Sequence, residues 1–223
     1  EGMGDACREL DFPVVSGNIS RDSARRQPDV TTRSIQATTA IGALGWLEDV
    51  NKSIGLAMQD SADIVLIGDS EGVLGQSVWL REILGREEGA PPPVDLKTER
   101  RNGDFVRQEI LAGHVLSCHD LADGGILVAL AEMVMADGVG CTLESPASGI
   151  RPEAFWFGED QARYIVCVKN AADLCARAEK AGVPARVLGR SGGSDLILPS
   201  GVTISAARLR TAHDSFFPAL MAS

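Results

Sequence analysis

The chain has 223 residues, of which 44 % are hydrophobic and 23 % charged, and its 31 acidic and 21 basic side chains leave a net charge of −10. This composition excludes a disordered tail, a coiled coil and a collagen-like fibre, and the length fits one or two domains that need no disulfide or zinc. The negative charge argues against a general nucleic-acid-binding protein, since phosphate backbones attract clustered Lys and Arg.

The cysteines and the apolar runs indicate a cytoplasmic protein. Five cysteines include no C-x-x-C pair, which is typical of small, reduced residues in a cytosolic core. No run approaches the roughly 18 apolar residues of a transmembrane helix, so we expect no membrane partner. The first residues, Glu-Gly-Met-Gly-Asp, have no signal-peptide pattern and no initiator Met. From this we expect a fragment of a longer protein.

The first element along the chain is the end of a helix, predicted over residues 3–11. A short strand through Phe12, Val14 and Val15 then leads into the polar turn 16–20. A strand that ends in a Gly/Asn/Ser turn exposes backbone N–H groups where open α/β sheets bind ligands. The Asn offers a neutral oxygen suited to Mg²⁺ and Ser offers a hydroxyl, although Gly-Asn is also an ordinary turn.

A change of composition follows this turn. Residues 21–36 are rich in Arg and polar side chains without an apolar period, which predicts a loop, either simply solvated or facing a phosphate as a lid. Residues 38–46 predict a Gly-rich apolar strand. The composition shifts again at 51–53, so we place a domain boundary there and assign domains 1–52 and 53–223.

The second domain reads as one α/β domain. Asp95 is predicted to cap a long helix, and Gly192-Gly193 is typical of a hairpin turn. The predicted strands cover 62–68, 115–119, 139–143, 162–168, 185–188 and 195–198. The predicted helices cover 75–85, 95–112, 126–136, 171–181 and 205 to about 219.

A polar motif, Cys-His-Asp-Leu-Ala-Asp-Gly-Gly at 118–125, lies between a predicted strand and a predicted helix. Its glycines allow a ligand to approach the backbone, and the helix N-terminus suits a phosphate. Alternatively, Asp120 and Asp123 hold a divalent metal or only cap the helix.

A second motif, Phe-Gly-Glu-Asp-Gln at 157–161, enters the strand predicted over 162–168. Polar residues at the start of a buried strand are held rigidly. They can bind a polar substrate, contact a neighbouring subunit, or form a turn with capping carboxylates.

Six segments, in order along nearly the whole chain, resemble the C-terminal part of the formylglycinamide ribonucleotide amidotransferase family. This family, also called phosphoribosylformylglycinamidine synthase, belongs to the aminoimidazole-ribonucleotide synthetase superfamily. The segments are EGMGDACRELDFPVVSGNIS, AIGALGWLEDV, PPPVDLKTERRNGDFVRQEI, HDLADGGILVALAEM, FGEDQARYIV and LRTAHDSFFPALM.

The resemblance implies a fold and a reaction. The expected fold is an α/β (α+β) C-terminal-type domain, a mixed sheet with flanking helices, preceded by the tail of an N-type barrel-forming domain. The family is an ATP-dependent carbon–nitrogen ligase of purine biosynthesis that also requires Mg²⁺. It activates the formamide oxygen of formylglycinamide ribonucleotide, and ammonia from a glutaminase subunit or domain displaces the phosphate. A small bridging subunit is a further expected partner.

The resemblance also implies roles for three residues of the turn. The family motif G-N-x-S matches Gly17, Asn18 and Ser20, which in the family contact ATP, Mg²⁺ and substrate respectively. No catalytic residue is assigned in this chain. The matching carboxylates and amide of the other two motifs are expected to line a degenerate second site or a domain interface; these are Asp120, Asp123, Glu159, Asp160 and Gln161.

The chain departs from the family pattern at 21–36, where Arg21 and the residues after it replace the usual sequence. The family's catalytic His and its main Mg²⁺ carboxylates belong to an N-terminal half that this sequence does not contain. We therefore expect the chain to be inactive without that half. The alternative is a non-catalytic nucleotide-binding or assembly module of the same superfamily.

Overall fold

The structure is a computed structural model that describes residues 2–17, 24–26, 32–34, 40–146 and 149–222. The chain divides into two compact units, Glu1–Val50 and Asn51–Ser223. None of the helices among the described residues is long and apolar enough to cross a membrane.

The described residues of the first unit include a helix and a small two-stranded ribbon. Helix α1 spans Gly2–Glu9, and strands β1 (Ala24–Arg26) and β2 (Thr32–Ser34) pair antiparallel. The prediction of a loop over 21–36 is therefore wrong for these six ribbon residues. No strand forms over 12–17 or 40–46, contrary to the sequence prediction, because an extended segment becomes a strand only when a neighbour pairs with it.

The second unit alternates strands and helices. Its strands are β3 (Asp63–Ile67), β4 (Val115–Asp120), β5 (Cys141–Leu143), β6 (Tyr164–Val168), β7 (Ala185–Ser191), β8 (Asp195–Ile197) and β9 (Thr203–Ser205). Its helices are α2 (Val78–Leu84), α3 (Leu96–Leu111), α4 (Gly125–Asp137), α5 (Pro152–Phe157), α6 (Ala171–Lys180) and α7 (Ala206–Ala222). The predicted cap of α3 is confirmed, since the Asp95 carboxylate accepts hydrogen bonds from the backbone of Lys97 and Thr98.

The seven strands form one mixed sheet in the order β4-β6-β3-β7-β5-β8-β9. Only β5 and β8 pair in parallel among these strands of the second unit. The predicted mixed sheet with flanking helices is confirmed. The predicted hairpin at Gly192-Gly193 is wrong, because β5 lies between β7 and β8.

The interior strand β3 contributes side chains to a hydrophobic core on each face of the sheet. Ile64 and Leu66 face a core built with α4 and α5, whereas Val65 and Ile67 face a second core built with α3 and α6. All four side chains are buried. A strand buried on both faces has a continuous run of apolar residues, and such a run predicted this strand from the sequence.

The five cysteines are free thiols. Cys141 and Cys167 are buried, whereas Cys7, Cys118 and Cys175 are half-buried. Burial raises the pKa of the Cys118 and Cys141 thiols to about 12. These two thiols therefore stay protonated at neutral pH and are poor nucleophiles.

A buried carboxylate ties α3 to α6. Glu109 accepts hydrogen bonds from the Arg177 guanidinium at 2.8–3.0 Å, and it lies 2.9 Å from Nδ1 of His114. Burial alone would raise the pKa of Glu109, but the hydrogen bonds from Arg177 and His114 outweigh it, so the net pKa is lowered. The ionised carboxylate therefore stabilises the packing of these two helices.

We predict that Glu109→Ala lowers the free energy of unfolding by about 2 kcal/mol, because it removes a buried hydrogen-bond acceptor and leaves the Arg177 guanidinium without its carboxylate partner. Because the folded-state pKa is lowered, this stabilisation is complete above the unfolded-state pKa of about 4.3 and is lost as pH falls through the folded value. Chemical denaturation at pH 7 and pH 3 measures the effect. The control Asp104→Ala removes only exposed ion pairs and should cost less than about 0.5 kcal/mol; equal losses in the two variants would contradict the role of Glu109.

Candidate functional site

The two polar motifs of the second unit meet at one cavity of about 500 Å³. The walls come from the end of β4, the segment that leads into β6, the first turn of α3 and a proline-rich loop. The lining residues are Gln76, Pro91, Pro92, Glu99, Asp120, Leu121, Ala122, Asp123, Glu159, Gln161, Ala162, Arg163 and Tyr164. The sheet edge at β4 thus brings together residues that lie far apart in sequence.

The carboxylates of Glu159 and Asp160 bind backbone amides of the chain itself. Glu159 Oε1 accepts hydrogen bonds from Val78 N and Gly124 N, both at 2.8 Å. Asp160 accepts from Gly72 N at 3.0 Å and Val73 N at 3.1 Å. Both residues are buried. Of the interpretations left open by the sequence, this geometry matches a turn with capping carboxylates.

Arg163 is the largest fully buried side chain of the described residues, and the sequence analysis did not identify it. Its guanidinium donates hydrogen bonds to the carbonyls of Asp160 and Gly158 and to the hydroxyl of Ser70, at 2.7–2.9 Å. Burial lowers the pKa of Arg163, and the Asp160 carboxylate 3.6 Å away opposes that shift. Arg163 therefore holds the inside of the 158–163 turn rather than offering a cation to the cavity.

Helix α3 holds this turn from the other side. Ala162 N donates to Glu99 Oε1 at 2.8 Å, and the buried Asn102 side chain donates to Ala162 O at 2.9 Å. These bonds fix Ala162 at φ +58°, a conformation that a non-glycine residue adopts at an energetic cost. A second cavity of about 300 Å³ lies against the same turn. Residue 162 is therefore part of a fixed wall that both cavities share.

The two aspartates of the 118–125 motif do not cap α4. The N-cap of α4 is Gly124, which makes no side-chain cap bond; its backbone N–H donates a hydrogen bond to Glu159 instead. Asp120 is exposed and lies 3.3 Å from Nδ1 of His119, whose Nε2 lies 2.7 Å from Glu132. Within the described ranges, no group of three or more His, Cys, Asp or Glu side chains is arranged to hold a metal ion.

Acidic side chains outnumber basic ones in the lining of the cavity. Burial raises the pKa of Glu99, although the hydrogen bond from Ala162 opposes the shift. Burial, together with the nearby Glu99, Cys118 and Asp120 groups, raises the pKa of Tyr164 to about 12. Tyr164 is therefore a neutral phenol at pH 7, beside carboxylates that repel anions.

The three residues assigned by resemblance to a nucleotide site belong to the first unit. Gly17 is exposed, and the space that a Cβ atom would occupy there is open. Asn18 and Ser20 lie outside the described residues. Their roles therefore remain predictions.

A family model described as AIR synthase related protein, C-terminal domain, matches residues 62–197. The chain belongs to this family. The matched residues run from the residue before β3 to the end of β8, so the family domain contains the cavity and both of its motifs.

Curated relatives in the family carry the name phosphoribosylformylglycinamidine synthase subunit PurL. The relative from Gluconobacter oxydans is 60 % identical over 99 % of this chain, and the one from Acidiphilium cryptum is 52 % identical over 97 %. The chain spans about 30 % of the length of these proteins. The family resemblance predicted from the six segments is confirmed.

Solved structures of T. maritima PurL share the fold. The structure complexed with FGAR has a TM-score of 0.59 at 17 % identity, covering 72 % of this chain and 30 % of that one. The structure complexed with ATP has a TM-score of 0.56 at 16 % identity, covering 72 % and 27 %. At this identity the likeness concerns the fold alone.

The backbone at Gly125 lies close to the backbone at Gly158, so we predict that Gly125→Ala strongly destabilises the fold. Gly125 has φ +68°, and an added Cβ would lie 2.5 Å from the carbonyl oxygen of Gly158. We expect a loss of about 3 kcal/mol or more in unfolding free energy, since backbone strain and a backbone clash add together.

The matched control is Gly138→Ala at the other end of α4. Gly138 also has a positive φ, +77°, but an added Cβ meets nothing within 4 Å. This variant should lose only about 1 kcal/mol. Urea denaturation measures both, and a similar loss at the two positions would show that the approach to Gly158 is not tight.

Proposed function

We propose that this chain is the C-terminal portion of an ATP-dependent ligase that converts formylglycinamide ribonucleotide and ammonia to formylglycinamidine ribonucleotide, with ADP and phosphate as the other products. The observation that carries the proposal is the 60 % identity to a PurL subunit over 99 % of the chain. A match over 99 % of the chain spans both the turn that contains Gly17 and the two motifs of the cavity.

The proposal divides the chain into two roles. Residues 1–52 form the tail of an N-type domain that binds nucleotide and substrate, and residues 53–223 form a C-type domain. The remaining length of the relatives supplies the rest of the active site. A glutaminase subunit or domain supplies ammonia, a small bridging subunit is a further partner, and the enzyme acts in the cytoplasm.

The surroundings of Gly17 support a nucleotide site in the first unit rather than in the second. Gly17 is exposed and has open space beside its Cα atom, so a phosphate can approach its backbone. In the second unit, the cavity presents Glu99, Asp120 and Asp123, and the guanidinium of Arg163 is engaged by internal acceptors.

ATP would supply the phosphoryl group that activates the formamide oxygen of the substrate. In this proposal the backbone of Gly17 contacts the nucleotide, the amide oxygen of Asn18 ligates Mg²⁺, and the hydroxyl of Ser20 binds substrate. Neutralising and positioning the phosphoryl group are the main tasks of a protein in this chemistry.

The test of the function is complementation. Purified chain, combined with the N-terminal remainder of a PurL subunit and with ammonium chloride, should form the amidine and ADP at a rate that neither piece reaches alone. Absence of turnover after the two pieces are shown to associate would argue for the alternative, a non-catalytic assembly module.

The test of the metal role is Asn18→Ala in the reconstituted enzyme. Loss of one oxygen ligand should raise the Mg²⁺ concentration for half-maximal rate about tenfold. Asn18→Asp retains an oxygen ligand and is the matched control, for which we expect a smaller change. An unchanged Mg²⁺ dependence of Asn18→Ala would remove the ligand role from this residue.

A further inference from the structure

Two backbone amides converge on one carboxylate oxygen of Glu159, a residue that lines the larger cavity. Val78 N, at the start of α2, and Gly124 N, at the N-cap of α4, both lie 2.8 Å from Glu159 Oε1. Convergent amides near helix starts are an arrangement by which proteins bind anions. Here the anion is a carboxylate of the same chain, and only 8 % of Glu159 is exposed.

The neighbouring carboxylate is held in the same way. Gly72 N and Val73 N each donate to a different oxygen of Asp160. A buried carboxylate without partners is costly, and charge-assisted bonds from backbone N–H groups offset that cost. One oxygen of Glu159 and both oxygens of Asp160 therefore accept hydrogen bonds from the backbone of the chain itself.

The rest of the cavity gives an incoming anion little attraction. Its lining includes the carboxylates of Glu99, Asp120 and Asp123. The guanidinium of Arg163, the only Arg or Lys in that lining, donates to Gly158 O, Asp160 O and Ser70 Oγ. A phosphate would have to displace Glu159 to reach the amides, and it would lie among negative groups.

We propose that Glu159 is an internal anion that fills an anion hole formed by the amides of Val78 and Gly124, and thereby closes this cavity to phosphate groups. The two amides of the second unit are then already occupied by an anion of the same chain. This inference concerns the second unit alone and does not depend on the proposed reaction.

The experiment removes the internal anion and offers acetate in its place. Glu159→Ala should lower the Tm of the chain, and sodium acetate should then raise the Tm saturably by about 5 °C relative to sodium chloride at equal ionic strength. The wild-type chain should show no such difference between acetate and chloride. The acetate should also shift the amide NMR resonances of Val78 and Gly124 in the variant.

Two control variants separate the anion hole from general effects. Glu159→Gln keeps an oxygen that accepts both hydrogen bonds, so it should retain most of the Tm and give no acetate response. Glu153→Ala removes an acidic residue on α5 that pairs with Arg151 and does not line the cavity, and it should behave like the wild type.

Three results would overturn the inference. They are a folded Glu159→Ala chain without a saturable acetate response, an unfolded one that acetate does not restore, and a wild-type chain in which ADP shifts the amide resonances of Val78 and Gly124. Failure of the complementation assay would leave this inference intact, because acetate rescue measures the isolated chain.

Discussion

The burial of two adjacent carboxylates, Glu159 and Asp160, is the constraint on which the loops of the second unit depend. A carboxylate removed from water requires hydrogen bonds in return. Here the donors are backbone amides on three separate segments, at Gly72 and Val73, at Val78, and at Gly124. The starts of α2 and α4 and the loop after β3 are therefore fixed around one turn.

The neighbouring residues of this turn are also held by internal hydrogen bonds. Arg163 can be buried because its guanidinium donates hydrogen bonds to carbonyl oxygens of the turn. Ala162 keeps a positive φ because side chains of α3 bind both its N–H and its carbonyl group. Gly125 is glycine where the backbone of Gly158 leaves no space for a Cβ atom. A motif whose residue types suit ligand binding is thus used here to build the walls of a cavity.

Local signals in the sequence predicted the elements but not their partners. The run Ile64–Ile67 marks β3 as a strand buried on both faces, and Asp95 marks the start of α3, because both signals act within a few residues. The six-residue helix α5 is too short for a clear period. Gly192-Gly193 predicted a turn, yet nothing local indicates that β5 lies between β7 and β8.

The sequence also predicted the residue types of the candidate site but not which residues they contact. The residue types of the two motifs were recognised, but the donors to Glu159 lie 81 and 35 residues away in sequence, so their convergence is a property of the fold. Arg163, Glu99 and Asn102 were missed because a buried polar residue is distinguished from a surface one only by what surrounds it. Roles for Asn18 and Ser20 rest on family resemblance alone.

The position of β3 in the sheet has a consequence for folding. This early strand pairs on one side with β6 and on the other with β7, and the hydrogen bond from Ala62 N to the Ser191 hydroxyl spans 129 residues. Contacts so distant in sequence close slowly, since the entropy of a large loop is lost before they form. On the ribosome, the centre of this sheet therefore cannot be completed until β7 has left the exit tunnel, and the apolar strand β3 remains without its neighbours during most of the synthesis of the domain.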